Sequence, residues 1–585
     1  MSTKVAELTT ILQQDSASQW VSFLWNKFND QRREKIEEWK ELRNYVFATD
    51  TSTTSNSSLP WKNSTTLPKL CQIRDNLHSN YLSSLFPNDD WLRWAGYGKN
   101  DSKKVKAKAI QSYMANKCRE GHFRTEMSKL LYDYIDYGNS FVTASFEAKY
   151  KTMADGSVVP DYIGPRAQRI SPLDIVFNPL ATSFADSFKI IRSVKTLGEL
   201  KRLAEEEPEQ AFWKKAIERR EMLRVNHGGF SIEDYDKACG YSVDGFGNMY
   251  EYFMGDFVEI LEFYGDYHDH STGELRTNRI ITVVDRAIEV RNEEIPTWFG
   301  SAPIYHVGWR FRQDNLWAMG PLDNLVGMQY RIDHLENLKA DACDLIVHPP
   351  LKIIGEVEEF VWGPGAEIHL DEGGDVSEIS KNLNGLVMAD NNIQMLEDRM
   401  ELYAGAPREA MGIRTPGEKT ALEVQTLNSA AGRIFQEKIT TFEIELLEPL
   451  LNAMLETARR NMDSSDVIRV MDDDLGVREF LTITKDDITA NGVIRPVGAR
   501  HFAKQAQDLQ NIIGIFNSPI GQMISPHTSG KALARFVDDV TGLGGYDIFR
   551  PNVAVAEQQE TQSLVNQAQE DTAVQAAVPT EGALI

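Results

Sequence analysis

GPLDNLVGMQYRIDHLENLKADACDLIVHPP, residues 320–350, is the stretch on which the fold turns. Leu322, Leu325, Ile332, Leu335, Leu338, Ala342 and Leu345 recur at three- and four-residue spacing. The spacing predicts one unbroken amphipathic helix over 321–346, roughly 39 Å long at about 1.5 Å per residue. His348-Pro349-Pro350 stops it, because proline cannot continue the hydrogen-bond ladder. From Leu351 to about Asn384 the chain is rich in Gly and acidic residues and reads as a compact strand-and-turn element. A shorter helix is expected from about Asn391 to Tyr403.

The next stretch, GIRTPGEKT (412–420), is one residue away from a nucleotide-binding P-loop. Glu418 displaces Lys419 by one position and puts a carboxylate where phosphate oxygens would sit. The preceding residues have helical rather than strand periodicity. A cap explains the same letters better. Thr415 caps the following helix, Pro416 suits its first position, and Glu418 completes a capping box. The long helix expected from 417 to about Asn461 contains Pro449, so a kink is expected there. Strands follow over 467–498, then helices near 501–516 and 529–541. The tail from Pro551 has six glutamines and no Lys or Arg and reads as a frayed helix or as disordered.

On the N-terminal side, residues 17–46 read as one amphipathic helix, and helices are expected near 66–85, 102–118 and 126–137. A Ser/Thr-rich break separates the first two at 49–60. Strands are read in FVTASFEA after Tyr137-Gly138-Asn139, in RISPLDIVFNP (169–179), in 257–269, and in 279–294 as two strands around a tight turn at Asp285-Arg286. A helix-rich insert at 197–224 interrupts them. The whole is α+β.

Composition narrows the function classes. At 585 residues, 42% hydrophobic and 25% charged, the chain is long and apolar enough for several cores. Acidic residues outnumber basic ones by 86 to 62, a net charge of -24, which argues against a broad grip on nucleic acid. Cys71, Cys118, Cys239 and Cys343 form no CxxC pair, so neither a zinc knuckle nor a disulfide framework is expected, and a reducing compartment is the simpler setting. The N-terminus lacks the apolar core of a signal peptide, and no run is long enough to span a bilayer; a soluble chain is expected.

Several stretches, in order, resemble the portal proteins, or head–tail connectors, of tailed double-stranded DNA phages, most nearly the podovirus type. They are DNLHSNYLSSLFP (75–87), LLYDYIDYGNSFV (130–142), ISPLDIVFNP (170–179), GPLDNLVGMQYRIDHLENLKADA (320–342), YAGAPREAMGIRTPGEKTALEV (403–424) and DDITANGVIRPVGAR (486–500). The resemblance implies a portal-type fold assembled as a cyclic ring, usually of twelve subunits, at one capsid vertex. It implies a wing over 1–320, a first stem helix at 321–346, a clip at 347–388, a second stem helix at 389–404 and a tunnel loop at 405–416. A kinked core helix and returning wing strands would fill 417–500, a crown 501–552 and a tail 553–585. The implied partners are double-stranded DNA in the channel, the terminase large subunit, head–tail adaptor and tail proteins, and major capsid and scaffolding proteins, with no membrane, no cofactor and no enzymatic activity. The implied location is the virion, after assembly in the host cytoplasm.

The residues add candidates to that frame. Arg408, Arg414 and Lys419 are the candidates for transient DNA contact in the channel; the plainer reading puts Lys419 on a solvated helix face and pairs one arginine with Glu409 or Glu418. Trp362, beside Gly363-Pro364, is a candidate anchor for a neighbouring subunit or adaptor. Asp371 and Glu372 are candidates to attract a basic partner. His268-Asp269-His270 has metal-ligand residue types but reads as a solvated hairpin turn. Asp472-Asp473-Asp474 is of the type that holds a divalent cation and reads more simply as a charged turn. Trp20, Trp25 and Trp39 are expected in the core or a subunit interface. Two alternatives stand beside the portal reading: a divergent P-loop ATPase of the packaging motor, which needs Lys419 for nucleotide, and another head–tail adaptor or inner virion protein.

Overall fold

The computed structural model describes residues 17–47, 63–86, 91–96, 101–153, 158–206, most of 213–221, 255–269, 272–286, 288–295, 302–355, 373–378, 384–404, 434–462, and 465–472, 477–484, 488 and 492–496. It is an α+β chain that divides into two compact units, one holding 1–85, 92–464 and 485–496, the other 86–91, 465–484 and 497–585.

In the larger unit, helices α1 (Ala17–Gln31), α2 (Arg33–Val46) and α3 (Lys69–Leu85) precede strand β1 (Leu92–Gly96) and helices α4 (Asp101–Glu120) and α5 (Phe123–Asp136). The expected single helix over 17–46 is two, broken at Arg32. Arg32 is buried because its guanidinium donates to the carbonyls of Pro172 (2.7 Å) and Ile175 (2.6 Å) and to Asn29 Oδ1. Next come β2 (Asn139–Thr152), β3 (Val158–Ile170), β4 (Ile175–Phe177), β5 (Lys189–Thr196), helix α6 (Leu197–Glu206), β6 (Phe257–Asp269), β7 (Glu274–Val284), β8 (Ile288–Glu294), β9 (Ile304–Gly308), β10 (Arg310–Arg312) and β11 (Asn315–Met319). The expected strand 169–179 is likewise split: Pro172–Asp174 is a 3-10 turn, started by Ser171 Oγ accepting from the Leu173 amide, between β3 and β4, which belong to different sheets.

The sheets run β3-β2-β9 and β4-β5-β6-β7-β8, antiparallel throughout. Successive side chains of a strand point to opposite faces, and both faces of the larger sheet are used. Leu261, Phe263, Ile281 and Val283 pack with Val21 and Trp25 of α1. Val258, Ile260 and Val284 pack with Leu197 and Leu200 of α6. A third cluster joins the two sheets around Trp39, Phe141, Phe177 and Trp317. Trp25 and Trp39 are core residues, and Trp20 lies edge-on to Phe263 and Tyr267.

The expected turn between β7 and β8 is present, with Asp285 and Arg286 both in the left-handed region at φ 51° and 53°. Ordinary side chains rarely adopt that conformation, and here tertiary bonds hold it. Arg286 makes a two-pronged pair with Glu259 at 2.7 and 2.8 Å, both fully buried, and Arg220 meets Asp285 at 3.3 Å.

The chain then forms helix α7 (Val326–Val347), a short hairpin of β12 (Leu351–Ile354) and β13 (Asp375–Glu378), and helix α8 (Asn384–Tyr403). Helix α8 starts earlier than the expected residue 391. Residues 434–442 are helical and lead through a π turn, Glu443–Leu447, into α9 (Glu448–Asn461). The π turn meets the expected irregularity at Pro449: it widens the backbone so that Pro449 falls in a first turn, where its missing N–H is not needed. Asn452 then acts as a surrogate strand, exchanging both amide bonds with Ile494 of the last strand, Gly492–Pro496, which pairs with β1.

In the smaller unit the described part is an antiparallel hairpin, Ser465–Asp472 with Val477–Thr484, and the edge-on pair Phe86 and Trp91.

Candidate functional site

The site is the α7–α8 helical hairpin, and its root explains how it is aimed. Gly138, at φ +68°, lies so close to the start of the hairpin that a Cβ there would meet Gly320 N and Met319 C at 2.4 Å. Next to it the buried Asn139 side chain donates to the carbonyls of Tyr137 (2.8 Å) and Ala318 (3.0 Å) and accepts from the Ala318 amide (3.0 Å). Its oxygen also lies 3.0 Å from His306 Nε2. Burial holds His306 down to about 3, so the ring is neutral and Nε2–H is the donor. Asp323 accepts from the Gly320 amide and pairs with Lys35 of α2 at 3.0 Å. The first turn of the hairpin is thus tied to α5, β2, β9 and α2.

Along α7 two rows alternate. Ile332 and Leu335 are buried, as are Ile393 and Met400 on α8, and the two helices pack together. Lys339 bridges them to Asp390 at 2.9 Å, and Lys69 of α3 reaches Glu401 at 2.7 Å. The second row, Gln329, Asp333, Asn337 and Asp341, is polar yet buried. Apolar side chains are also exposed on α7, Tyr330, Leu338 and Ile346, each eight residues on and so turned about 80° further around the helix. Helix α8 carries the counterpart. Met388, Met395 and Leu402 fall at heptad spacing, and Met388 and Leu402 are 66% and 65% exposed. Ile353 and Ile354 of β12 are exposed as well, on opposite faces of the strand.

Of the residues singled out from sequence, Trp362, Asp371 and Glu372 lie outside the described residues, in the chain between β12 and β13, which pair from Leu351↔Glu378 to Ile354↔Asp375. Arg408, Arg414 and Lys419 also lie outside the described residues, in the chain between Ala404 and residue 434. His268 and Asp269 close the β6–β7 hairpin, with the Gly273 amide donating to the Asp269 carbonyl at 2.7 Å, which is the turn expected; His270 is outside the described residues. Asp472 ends the smaller unit's hairpin opposite Val477, with Asp473 and Asp474 outside the described residues.

Among the described residues no group of three or more His, Cys, Asp or Glu is arranged to hold a metal ion, and no helix is long and apolar enough to cross a membrane. Sequence reasoning missed the buried polar row on α7 and Asn139. The row had a visible signal, four amide or carboxylate side chains repeating every four residues. Compared with known proteins, the chain matches no family model and none of the curated proteins.

Proposed function

We propose that this chain is the portal protein of a tailed double-stranded DNA phage, a structural part with no enzymatic activity. Twelve copies form a ring at one capsid vertex. The ring is the conduit through which DNA is packaged and ejected, and it docks the terminase large subunit first and head–tail adaptor or tail proteins later. Scaffolding and major capsid proteins meet its outer side.

The observation that carries the reading is the row of exposed apolar side chains on one face of α8, Met388, Met395 and Leu402, with Tyr330 and Leu338 exposed on α7. Apolar side chains repeated at heptad spacing and left in water suit a helix that packs on another. The row runs along an elongated element that can stand beside a copy of itself. A ring needs two different complementary faces on each subunit and a rotation that closes. An α7 side carrying Tyr330 and Leu338 and an α8 face carrying Met388, Met395 and Leu402 supply two such faces. The helix α8 ahead of GIRTPGEKT supports the same reading over the ATPase one, because a P-loop is delivered by a strand.

An acidic subunit also suits the task. DNA carries about one charge per 1.7 Å, so a strongly basic wall would hold it, whereas an acidic wall with a few arginines lets it slide. The joint change Arg408→Ala with Arg414→Ala is expected to alter DNA retention or packaging while leaving the ring intact. Unchanged packaging would remove these two residues from the channel. Sedimentation of the purified full chain tests the assembly itself: a single species at a fixed high multiple of 66.2 kDa supports the reading, and a monomer at every concentration, with or without scaffold, overturns it.

A further inference from the structure

We infer that residues 63–68 form a latch on α7, held closed by backbone readout and loosened by charge on Asp333. The latch stands on contacts within one chain and does not depend on the ring. Residues 63–68, between the Ser/Thr-rich stretch and α3, belong to neither helix nor strand. Their amides are read one by one by the polar row of α7. Asn63 N donates to Asp341 Oδ1 at 2.9 Å, Thr65 N to Asn337 Oδ1 at 2.6 Å and Leu67 N to Asp333 Oδ1 at 2.9 Å. Where the segment enters α3, Leu70 N donates to Gln329 Oε1 at 3.2 Å, and Gln329 Nε2 donates back to the Leu67 carbonyl.

The two repeats keep step for a geometric reason. Alternate amides of an extended chain are about 6.6 Å apart. Side chains four residues apart on a helix are about 6.0 Å apart. The segment therefore runs antiparallel to α7 and meets one side chain per turn. At Thr65 and Leu67 this recognition uses backbone, as when a strand is added to a sheet edge, with a helix in place of the edge; at Asn63 the side chain joins in, Nδ2 donating to Asp341 Oδ1 at 2.9 Å and to Asp344 Oδ2 at 2.8 Å.

The row is also poised to respond to charge. Asp333 is fully buried, and its second oxygen, Oδ2, has no hydrogen-bond partner; Oδ2 of Asp341 and Oγ1 of Thr66 share that condition. The segment itself has no ionisable side chain between Asn63 and Leu67. On the packed elements, Lys69 pairs with Glu401, Lys35 with Asp323, and Lys339 with Glu336 and Asp390; Tyr330, Arg331, His334, Asp341, Cys343 and Asp344 are the other ionisable groups along this part of α7, and Asp344 accepts from Asn63 Nδ2. No cation pairs with Asp333 among the described residues. Burial, opposed by the bonds from the Leu67 amide and Gln329, pushes its carboxyl up to about 6. Closing the latch thus takes up a proton between the ordinary carboxylate range and about pH 6. The closed form weakens as pH rises through that window. Opening bares the polar row of α7.

Amide hydrogen exchange on the full chain tests this at pH 5.5 and 7.5, both above its isoelectric point of about 5.0. After correction for intrinsic rates, protection of 63–67 relative to α7 is expected to fall roughly fourfold from pH 5.5 to 7.5. In Asp333→Asn, which keeps the acceptor and removes the charge, the ratio is expected to be the same at both pH values. Asp341→Asn is the companion variant and is expected to retain the pH dependence. A wild-type ratio that does not change with pH overturns the inference even if Asp333→Asn fails to fold. A pH-dependent ratio in Asp333→Asn equal to that of the wild type also overturns it.

Discussion

Leu338→Asp combined with Met395→Asp is expected to abolish assembly and leave a folded monomer. Leu338 and Met395 are 39% and 43% exposed in the single chain, so each keeps a large part of its surface in water and lies outside the buried core. In the proposed ring both are covered by neighbours. Burying such a side chain is worth about 1.5–3 kcal/mol, and a carboxylate in its place must be desolvated without a partner. Two changes at every interface weaken each by at least about a thousandfold. Sedimentation velocity reads the loss of the ring, and far-ultraviolet circular dichroism reads the retained fold. A ring that survives both substitutions places the subunit interface elsewhere on the chain.

Gly138→Ala is expected to be the most damaging single small change, because it acts at the root of the hairpin. The backbone there is left-handed at φ +68°, and the added Cβ would meet backbone atoms of Met319 and Gly320 at 2.4 Å, which cannot swing aside as a side chain could. The left-handed conformation costs about 1–2 kcal/mol and the overpacking about 1–3 more. The first thermal transition should fall by roughly 2–5 °C for a unit of this size. Gly327→Ala is the matched control. It adds the same methyl group on α7, where nothing lies within 4 Å, and should stabilise by about 0.5–1 kcal/mol. Equal transitions for the two variants would show that the close approach of Gly138 to Gly320 does not set the hairpin root.

The hairpin was legible in the sequence because its signals are local. Apolar spacing placed α7 within a few residues, and His348-Pro349-Pro350 marked its end. The turn at Asp285-Arg286 was also legible, although what stabilises it, the buried pair with Glu259, joins residues far apart in the chain. The misplacements share that cause. Nothing near Arg32 in sequence announces that carbonyls of Pro172, Leu173 and Ile175 will pull it out of a helix. Pro449 signalled an irregularity but not its form, since a proline can be met by a kink or by a π turn one turn earlier. Helix α8 begins before the expected residue 391, in turns where Val387 and Met388 are exposed in the single chain, so no buried apolar position marked its start. The polar row on α7 was visible as a repeat, but its meaning depends on an extended segment more than 260 residues earlier in the chain. Of the candidate contact residues, Trp362, Asp371, Glu372, Arg408, Arg414 and Lys419 all lie outside the described residues.

The portal reading is tested most directly by electron microscopy of the purified full-length chain, with rotational classification of end-on views. The account predicts a closed ring, with twelve-fold symmetry, around a central hole wide enough for duplex DNA. Closed particles without a through-channel, or open and irregular assemblies in the presence of scaffold, would contradict it.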